Sequence, residues 1–275
     1  MKKPVTILAF VVLVALAVPG WASVVTVTWD AADNFSAISN PNGVWSYGDY
    51  GGGGFSGTLN PANFDKLPIG FQGAYGSIEG WEMPGPSDPV VSHNKSLIAT
   101  VGPDATTAWT QWAPNEVALH PWQGPTVVRF TAPWTGTYNV GATFFDTQTN
   151  PPNVAPNAYV YLGGSQEFDE TVPTSPLAPL GSGVVPWTPI SYSGALIMSA
   201  GETLDFVAWG GNNSNATTGF DATITTIVPE PTTLAIWGLG LGVAGAAALR
   251  RRKQRGGRWS EENRQAIFQV IGRNR

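Results

Sequence analysis

The 275-residue chain contains no cysteine. This absence excludes disulfide bonds, thiolate metal ligands and a cysteine nucleophile. A fold built from this sequence must therefore be stabilised by its hydrophobic core and its hydrogen bonds, and a region of roughly 200 residues is long enough to bury such a core.

Histidine is almost absent as well. His93 and His120 are the only two in the chain, and neither H-E-x-x-H nor G-x-S-x-G occurs. The chain therefore lacks the sequence patterns of a zinc site and of a serine hydrolase. Acidic residues are numerous, but only a structure shows whether two of them share a cleft at the ~5–9.5 Å that glycoside hydrolysis requires. We predict that the protein is not an enzyme and binds no cofactor.

Basic residues are scarce through most of the chain. Between residues 23 and 229 only Lys66, Lys95 and Arg129 are basic, against sixteen acidic residues, so this span carries a net charge of −13 while the whole chain carries −5. A surface with this charge repels phosphate backbones. The sequence therefore argues against a nucleic-acid partner.

Long apolar runs occur only near the two ends. At the N-terminus, Lys2 and Lys3 precede an apolar run over residues 5–18, and small residues follow up to Ala22. A basic start, an apolar run and a small-residue exit are the three parts of a secretory signal peptide. We predict a signal peptide over residues 1–22 that is cleaved after Ala22. A retained anchor is the alternative, although the run is short for a membrane span.

The second apolar run, residues 232–249, contains no charge. It includes Gly-Leu-Gly-Val-Ala-Gly at 240–245, which has the form of a dinucleotide-binding fingerprint. That fingerprint needs a strand before it and an acidic residue about 20 positions later, whereas here Pro-Glu-Pro precedes the run and four basic residues follow it. The length and the basic flank instead predict a transmembrane helix over 232–249 with its C-terminal end in the cytoplasm.

The C-terminal pattern resembles the PEP-CTERM sorting signal, which would occupy residues 229–253. The residues that carry the resemblance are Pro229, Glu230, Pro231, Arg250, Arg251 and Arg252. The resemblance implies export by a Gram-negative bacterium and anchoring in the inner membrane as a precursor. It also implies recognition and cleavage by a membrane-embedded exosortase, and a link to exopolysaccharide and biofilm production.

Residues 254–275 extend beyond the point where such chains usually end. We predict that they form a basic cytoplasmic tail. The alternative is a short amphipathic helix on the inner membrane surface, whose apolar face would comprise Trp259, Ile267, Phe268 and Ile271.

The region between the two signals, residues 23–228, has strand patterns and no sustained helical period. Residues 137–144 alternate apolar and small or polar side chains, which is typical of a half-buried strand. Several short strands separated by Gly, Pro and Asn clusters predict an all-β fold, an antiparallel sandwich with a jelly-roll-like topology and a loop-rich N-terminal half. The other strand patterns lie at 24–29, 126–131, 158–162, 195–198, 203–209 and 222–228.

Three segments of this region resemble the lectin-like sandwiches of carbohydrate-binding modules. They are "NPNGVWSYG", "VVRFTAPWTGTYNV" and "SAGETLDFVAWGGNNSNATTGFDATI". The resemblance implies a lectin-like fold and does not transfer a ligand.

The number of tryptophans suggests a carbohydrate ligand for the exported region. Nine tryptophans lie in residues 23–229, and aromatic rings on loops suit stacking on sugar faces beside polar groups. The alternative is that these rings are core, because tryptophan usually buries most of its surface; solvent exposure of the rings separates the two. The candidates for carbohydrate contact are Trp45, Tyr47, Trp109, Gln111 and Trp112.

Asp221 is a candidate calcium ligand together with Asp30 or Asp33. Calcium needs 6–8 oxygen ligands, and no contiguous loop of the sequence supplies them. We therefore favour a surface or turn aspartate at this position and predict no metal site.

Two functions remain open for the exported region. One is a structural protein of the cell surface or the exopolysaccharide matrix, in which the aromatic residues are mostly core. The other is a carbohydrate-binding module that contacts matrix polysaccharide through tryptophans on its loops.

Overall fold

The computed structural model describes residues 24–51, 55, 57–85, 89–98, 100–102, 110–121, 124–148, 154–174, 188–210 and 216–229. The predicted signal peptide with Ala22, the predicted membrane helix at 232–249 and the tail at 254–275 lie outside these residues. Of the sorting-signal residues, only Pro229 is among them.

The described residues contain sixteen strands and one 3₁₀ turn (Pro61–Asn63). None of their helices is long and apolar enough to cross a bilayer. The strands are β1 (Val24–Asp30), β2 (Trp45–Asp49), β3 (Asp65–Lys66), β4 (Ile69–Ala74), β5 (Ile78–Glu82), β6 (Val90–Asn94), β7 (Thr100–Gly102), β8 (Thr110–Trp112), β9 (Val117–His120), β10 (Thr126–Thr131), β11 (Gly136–Asp146), β12 (Asn157–Leu162), β13 (Ser165–Thr171), β14 (Ile190–Met198), β15 (Thr203–Trp209) and β16 (Thr218–Pro229).

Two large antiparallel sheets contain most of these strands. Sheet A has the order β14-β11-β16-β9-β6-β5-β4, and β1 also pairs with β16. Sheet B has the order β13-β12-β15-β10-β2-β3. Strands β7 and β8 form a separate two-stranded sheet.

Strand β11 shows why the sequence forms these sheets. Tyr138, Val140, Ala142 and Phe144 are buried, and the residues between them point away from the core. Because successive side chains of a strand point to opposite faces, the alternation in the sequence becomes one apolar and one polar face. The predicted strand at 137–144 is therefore confirmed.

The apolar faces of the two sheets share one core. Phe220 of sheet A lies 5.3 Å from Phe144 of the same sheet and 5.1 Å from Phe206 of sheet B, measured between ring centroids. Full burial of one such side chain contributes about 1.5–3 kcal/mol. The predicted all-β antiparallel fold is thus confirmed and is consistent with a β-sandwich, while the jelly-roll topology stays a prediction.

Residues Thr26–Ile227 form one compact unit. Within it, seven strands (β3 to β9) lie between residues 65 and 120, where no strand was predicted from the sequence. Four of them, β4, β5, β6 and β9, extend sheet A beyond β16 and build the surface on which the candidate site lies.

A buried ion pair lies on the outer face of sheet B. Arg129 of β10 is opposite Asp205 of β15 and donates two hydrogen bonds to its carboxylate, from Nε to Oδ1 (2.6 Å) and from Nη2 to Oδ2 (2.9 Å). Nη2 also donates to the Tyr50 hydroxyl (2.7 Å), which itself donates to Asp205. The guanidinium lies 3.9 Å from the centroid of the Phe64 ring. Burial and the Asp205 carboxylate raise the pKa of Tyr50.

Candidate functional site

Two of the predicted carbohydrate-contacting residues lie in the core. Trp45 and Tyr47 belong to β2 and are fully buried. Trp45 packs edge-on against Phe130, with ring centroids 5.4 Å apart, and Tyr47 packs against Phe35 at 4.5 Å. Their predicted position on an exposed loop is wrong, because β2 is an inner strand of sheet B, where it pairs with β3 and β10. In this structure neither ring offers a face to a sugar.

The second predicted group is only partly within the described residues. Trp109 lies outside them, whereas Gln111 and Trp112 belong to β8 and are buried. The indole Nε1 of Trp112 donates a hydrogen bond to Ser92 Oγ (3.0 Å). This bond ties the β7–β8 sheet to the outer face of sheet A.

A cleft of about 310 Å³ opens beside Trp112. Its floor is the face of β4, β5, β6 and β9 that points away from the sandwich core, since Val91, Val117 and Leu119 of the same strands point into the core. The residues that line it are Phe71, Ala74, Tyr75, Ile78, Glu82, Val90, Ser92, Thr110, Trp112, His120 and Thr217. The volume falls at the lower end of the range for small-molecule sites.

Tyr75 gives the cleft an accessible aromatic ring. Its side chain is 52% exposed, and its ring stacks on Trp112 with centroids 6.0 Å apart and planes inclined by 27°. Tyr75 adopts a left-handed backbone conformation (φ +47°) in the turn between β4 and β5. Such a conformation is unfavourable for a bulky side chain. The turn nevertheless places the exposed Tyr75 ring over the buried Trp112 ring.

The polar groups of the cleft come from several strands. His120 of β9 and Thr217 are joined by a hydrogen bond of 2.6 Å between Nδ1 and Oγ1. Burial lowers the pKa of His120 to about 4, so the imidazole is neutral near pH 7. Glu82 is the one carboxylate among the described lining residues. An aromatic ring with a few convergent polar groups can orient a neutral, hydroxyl-rich ligand.

Of the cleft residues, only Trp112 was among the candidates from the sequence. Tyr75, Glu82, Ser92, His120 and Thr217 were not, because the chain contacts that join them cannot be read from local patterns. One signal was available in the sequence. Tyr75 is followed by Gly76 and preceded at two positions by Gly73, a composition that indicates a tight turn with its large side chain at the surface.

The acidic residues proposed for calcium also lie near one another. Burial chiefly, followed by Asp30 and then Asp33, raises the pKa of Asp221. Asp30 Oδ1 accepts hydrogen bonds from the backbone N–H groups of Ala32 (3.0 Å) and Asp33 (2.9 Å). No group of three or more histidine or acidic side chains in the described residues is arranged to hold a metal ion. The prediction of no metal site, with calcium at Asp221 as its alternative, stays a prediction.

The last strand leads directly into the C-terminal signal. Residues 228–253 match the family model of the PEP-CTERM protein-sorting motif, and the match begins at Val228, within β16. The chain carries a PEP-CTERM sorting motif. The match contains Pro229, Glu230, Pro231 and the three arginines at 250–252, as predicted. The motif indicates an exported protein that is anchored in the membrane before processing, and it implies processing by an exosortase.

No curated protein matches the chain. Solved structures give distant matches. A family 35 carbohydrate-binding module from an environmental isolate is 19% identical, with 38% of this chain and 69% of that chain covered and a TM-score of 0.25. The CBM51 of Clostridium perfringens GH95, in complex with methyl-galactose, is 13% identical (59% and 95% covered, TM-score 0.28). The K1 cleaved adhesin domain of Lys-gingipain from Porphyromonas gingivalis is 10% identical (74% and 98% covered, TM-score 0.32).

Proposed function

We propose that this is an exported, exosortase-sorted protein of structural, non-enzymatic character that ends at the cell surface or in the exopolysaccharide matrix of a Gram-negative bacterium. The observation that carries the proposal is the sorting motif at 228–253, whose match begins within the last described strand, β16. Glu82 is the one carboxylate among the described lining residues of the cleft, which supports the non-enzymatic part because glycoside hydrolysis usually needs two.

Replacing Glu230 by alanine should block C-terminal processing, as should deletion of residues 229–253. The physical reason is that the glutamate is the one charged side chain that directly precedes the uncharged run at 232–249, so it marks the N-terminal boundary of that run for the protease. Intact-mass analysis of protein from the native cell gives the result. The native chain should lose both ends, whereas Glu230→Ala should keep its C-terminal residues and stay in the membrane fraction.

Glu167→Ala is the matched control, since Glu167 is an exposed glutamate on β13, outside the motif in sequence. It should be processed like the native chain. An unchanged mature mass and location in Glu230→Ala would contradict the sorting role of the motif.

Carbohydrate binding is the second candidate function, and the cleft beside Tyr75 is the observation that favours it. The exposed ring can stack on a sugar, while Glu82 and His120 lie within the same cleft for hydroxyl groups. The net charge of −13 between residues 23 and 229 disfavours an anionic polymer. We therefore propose a neutral polysaccharide as the ligand of the cleft.

Tyr75→Gly should weaken binding to such a polysaccharide about tenfold, the equivalent of ~1.4 kcal/mol, because the stacking surface is lost. Glycine suits the left-handed backbone at this position, so the fold should be retained. Affinity electrophoresis in gels that contain laminarin, xylan or a galactan measures the change.

Ile38→Ala is the control for that experiment, because Ile38 is 83% exposed and lies outside the cleft lining. It should bind like the native protein. Equal retardation of Tyr75→Gly and the native protein in every gel, or no retardation of either, would contradict this second function and leave the sorting proposal untouched.

A further inference from the structure

The edges of the two sheets differ in how they are protected against pairing with another chain. An unpaired edge strand exposes backbone N–H and C=O groups that another strand can bind, and proteins usually block such edges with charges, irregularities or short strands. At the edge of sheet B, β13 carries Glu167, Asp169 and Glu170, all exposed. Its pairing with β12 is also irregular, between Val160 and Tyr161.

Two further edges of the large sheets are blocked as well. At the opposite edge of sheet B, β3 has only two residues. At one edge of sheet A, the pairing of β4 with β5 shifts register between Phe71 and Ala74. Each of these edges therefore has at least one feature that opposes pairing.

Strand β14, at the other end of the sheet A order, has none of these features. Its nine residues contain no charge and no proline, and they pair with β11 in an unbroken register from Ile190 to Met198. Within the described residues, no strand pairs with its second side. This regular neutral edge occurs in a region whose net charge is −13.

The sequence of β14 is complementary to itself in an antiparallel pair. With Gly194 on a two-fold axis perpendicular to the sheet, Ser193 lies opposite Ala195 of a second copy, and Ser191 lies opposite Ile197. Both of these pairs lie on the face of sheet A that points away from the core, where Ile197 is 78% exposed. The core-side residues pair likewise, Tyr192 with Leu196 and Ile190 with Met198. Two-fold interfaces of this kind use the same patch on both copies.

We propose that β14 pairs with β14 of a second copy of this chain, so that sheet A continues across a symmetric dimer. Backbone hydrogen bonds supply the attraction, as in other cases of strand addition to a sheet edge. Because β14 carries no charge, the strand itself adds nothing to the repulsion that the acidic surface produces between two copies.

The absence of cysteine makes a direct test possible with the full-length chain in detergent. In the proposed dimer, the two copies of residue 195 are diagonal neighbours about 7–8 Å apart. Ala195→Cys should therefore form a covalent dimer with a short bismaleimide. Thr137→Cys is the matched control, because Thr137 is exposed on the same face one strand further in. The two copies of residue 137 would be roughly 25 Å apart, so this variant should not cross-link.

A second pair of variants tests whether the edge determines association. Ser193→Asp places a carboxylate on the exposed face of β14 in each copy and should lower the association constant about tenfold in sedimentation at physiological salt. Ser165→Asp makes the same change on exposed β13 and should leave association unchanged. The proposal is overturned if the native chain is monomeric, if both aspartate variants associate like the native chain, or if Thr137→Cys cross-links as efficiently as Ala195→Cys.

Discussion

Asp205→Ala should lower the free energy of unfolding by about 3–5 kcal/mol, the range observed when one partner of a buried ion pair is removed. Asp205 is fully buried and accepts both hydrogen bonds from the Arg129 guanidinium. After the substitution, the cation would keep the Tyr50 hydroxyl, weak contacts to the Pro61 carbonyl (3.3–3.4 Å) and its contact with the Phe64 ring. Urea unfolding followed by tryptophan fluorescence measures the loss.

The triple variant Tyr50→Phe, Arg129→Met and Asp205→Leu is the control for that prediction. It replaces the whole polar cluster by apolar side chains, so no charge is left buried without a partner, and such replacements are often neutral or stabilising. We expect it to unfold within about 1 kcal/mol of the native protein or above it. A loss of less than about 1 kcal/mol in Asp205→Ala would show that water reaches the guanidinium, contrary to its burial.

Trp45→Ala should cost about 3–5 kcal/mol of unfolding free energy, because it leaves a cavity in the shared core of the two sheets. The indole is fully buried and packs against Phe130, and its ring centroid lies 6.5 Å from that of Phe206. The same urea titration measures this change.

Ile38→Ala serves again as the control for Trp45→Ala, since an exposed side chain away from special features changes stability by less than about 0.5 kcal/mol. The substitution also distinguishes the two roles considered for Trp45. If Trp45→Ala folds with native stability and only loses affinity for a polysaccharide, then the ring is a ligand contact and its place in the core is wrong.

The sequence predicted the strands whose pattern is regular. Thr137 to Phe144 alternates, and it forms the central part of β11. The strands between residues 65 and 120 were missed because their patterns are interrupted. In β5, for example, Gly80 stands between Ile78 and Trp81, so the apolar period is broken even though the strand pairs on both sides.

Trp45 and Tyr47 show that local composition does not predict burial. Trp45 and Tyr47 are two positions apart in a segment rich in glycine, asparagine and proline, which favoured a loop. In the structure they lie in a strand bordered on both sides, one ring against Phe130 and the other against Phe35. Composition describes the chain near a residue, whereas burial depends on which other segments cover it.

The sequence by itself determined the properties that depend on neighbouring residues or on sums over the chain. These are the sorting motif at 228–253, the acidic charge, the absence of disulfides and the all-β class. The tertiary structure alone decided which side chains meet across long stretches of chain. Arg129 and Asp205 are 76 positions apart, and His120 and Thr217 are 97 apart. Such contacts arise from the pairing order of the strands, which local periodicity does not encode because many orders satisfy the same alternation of apolar and polar residues.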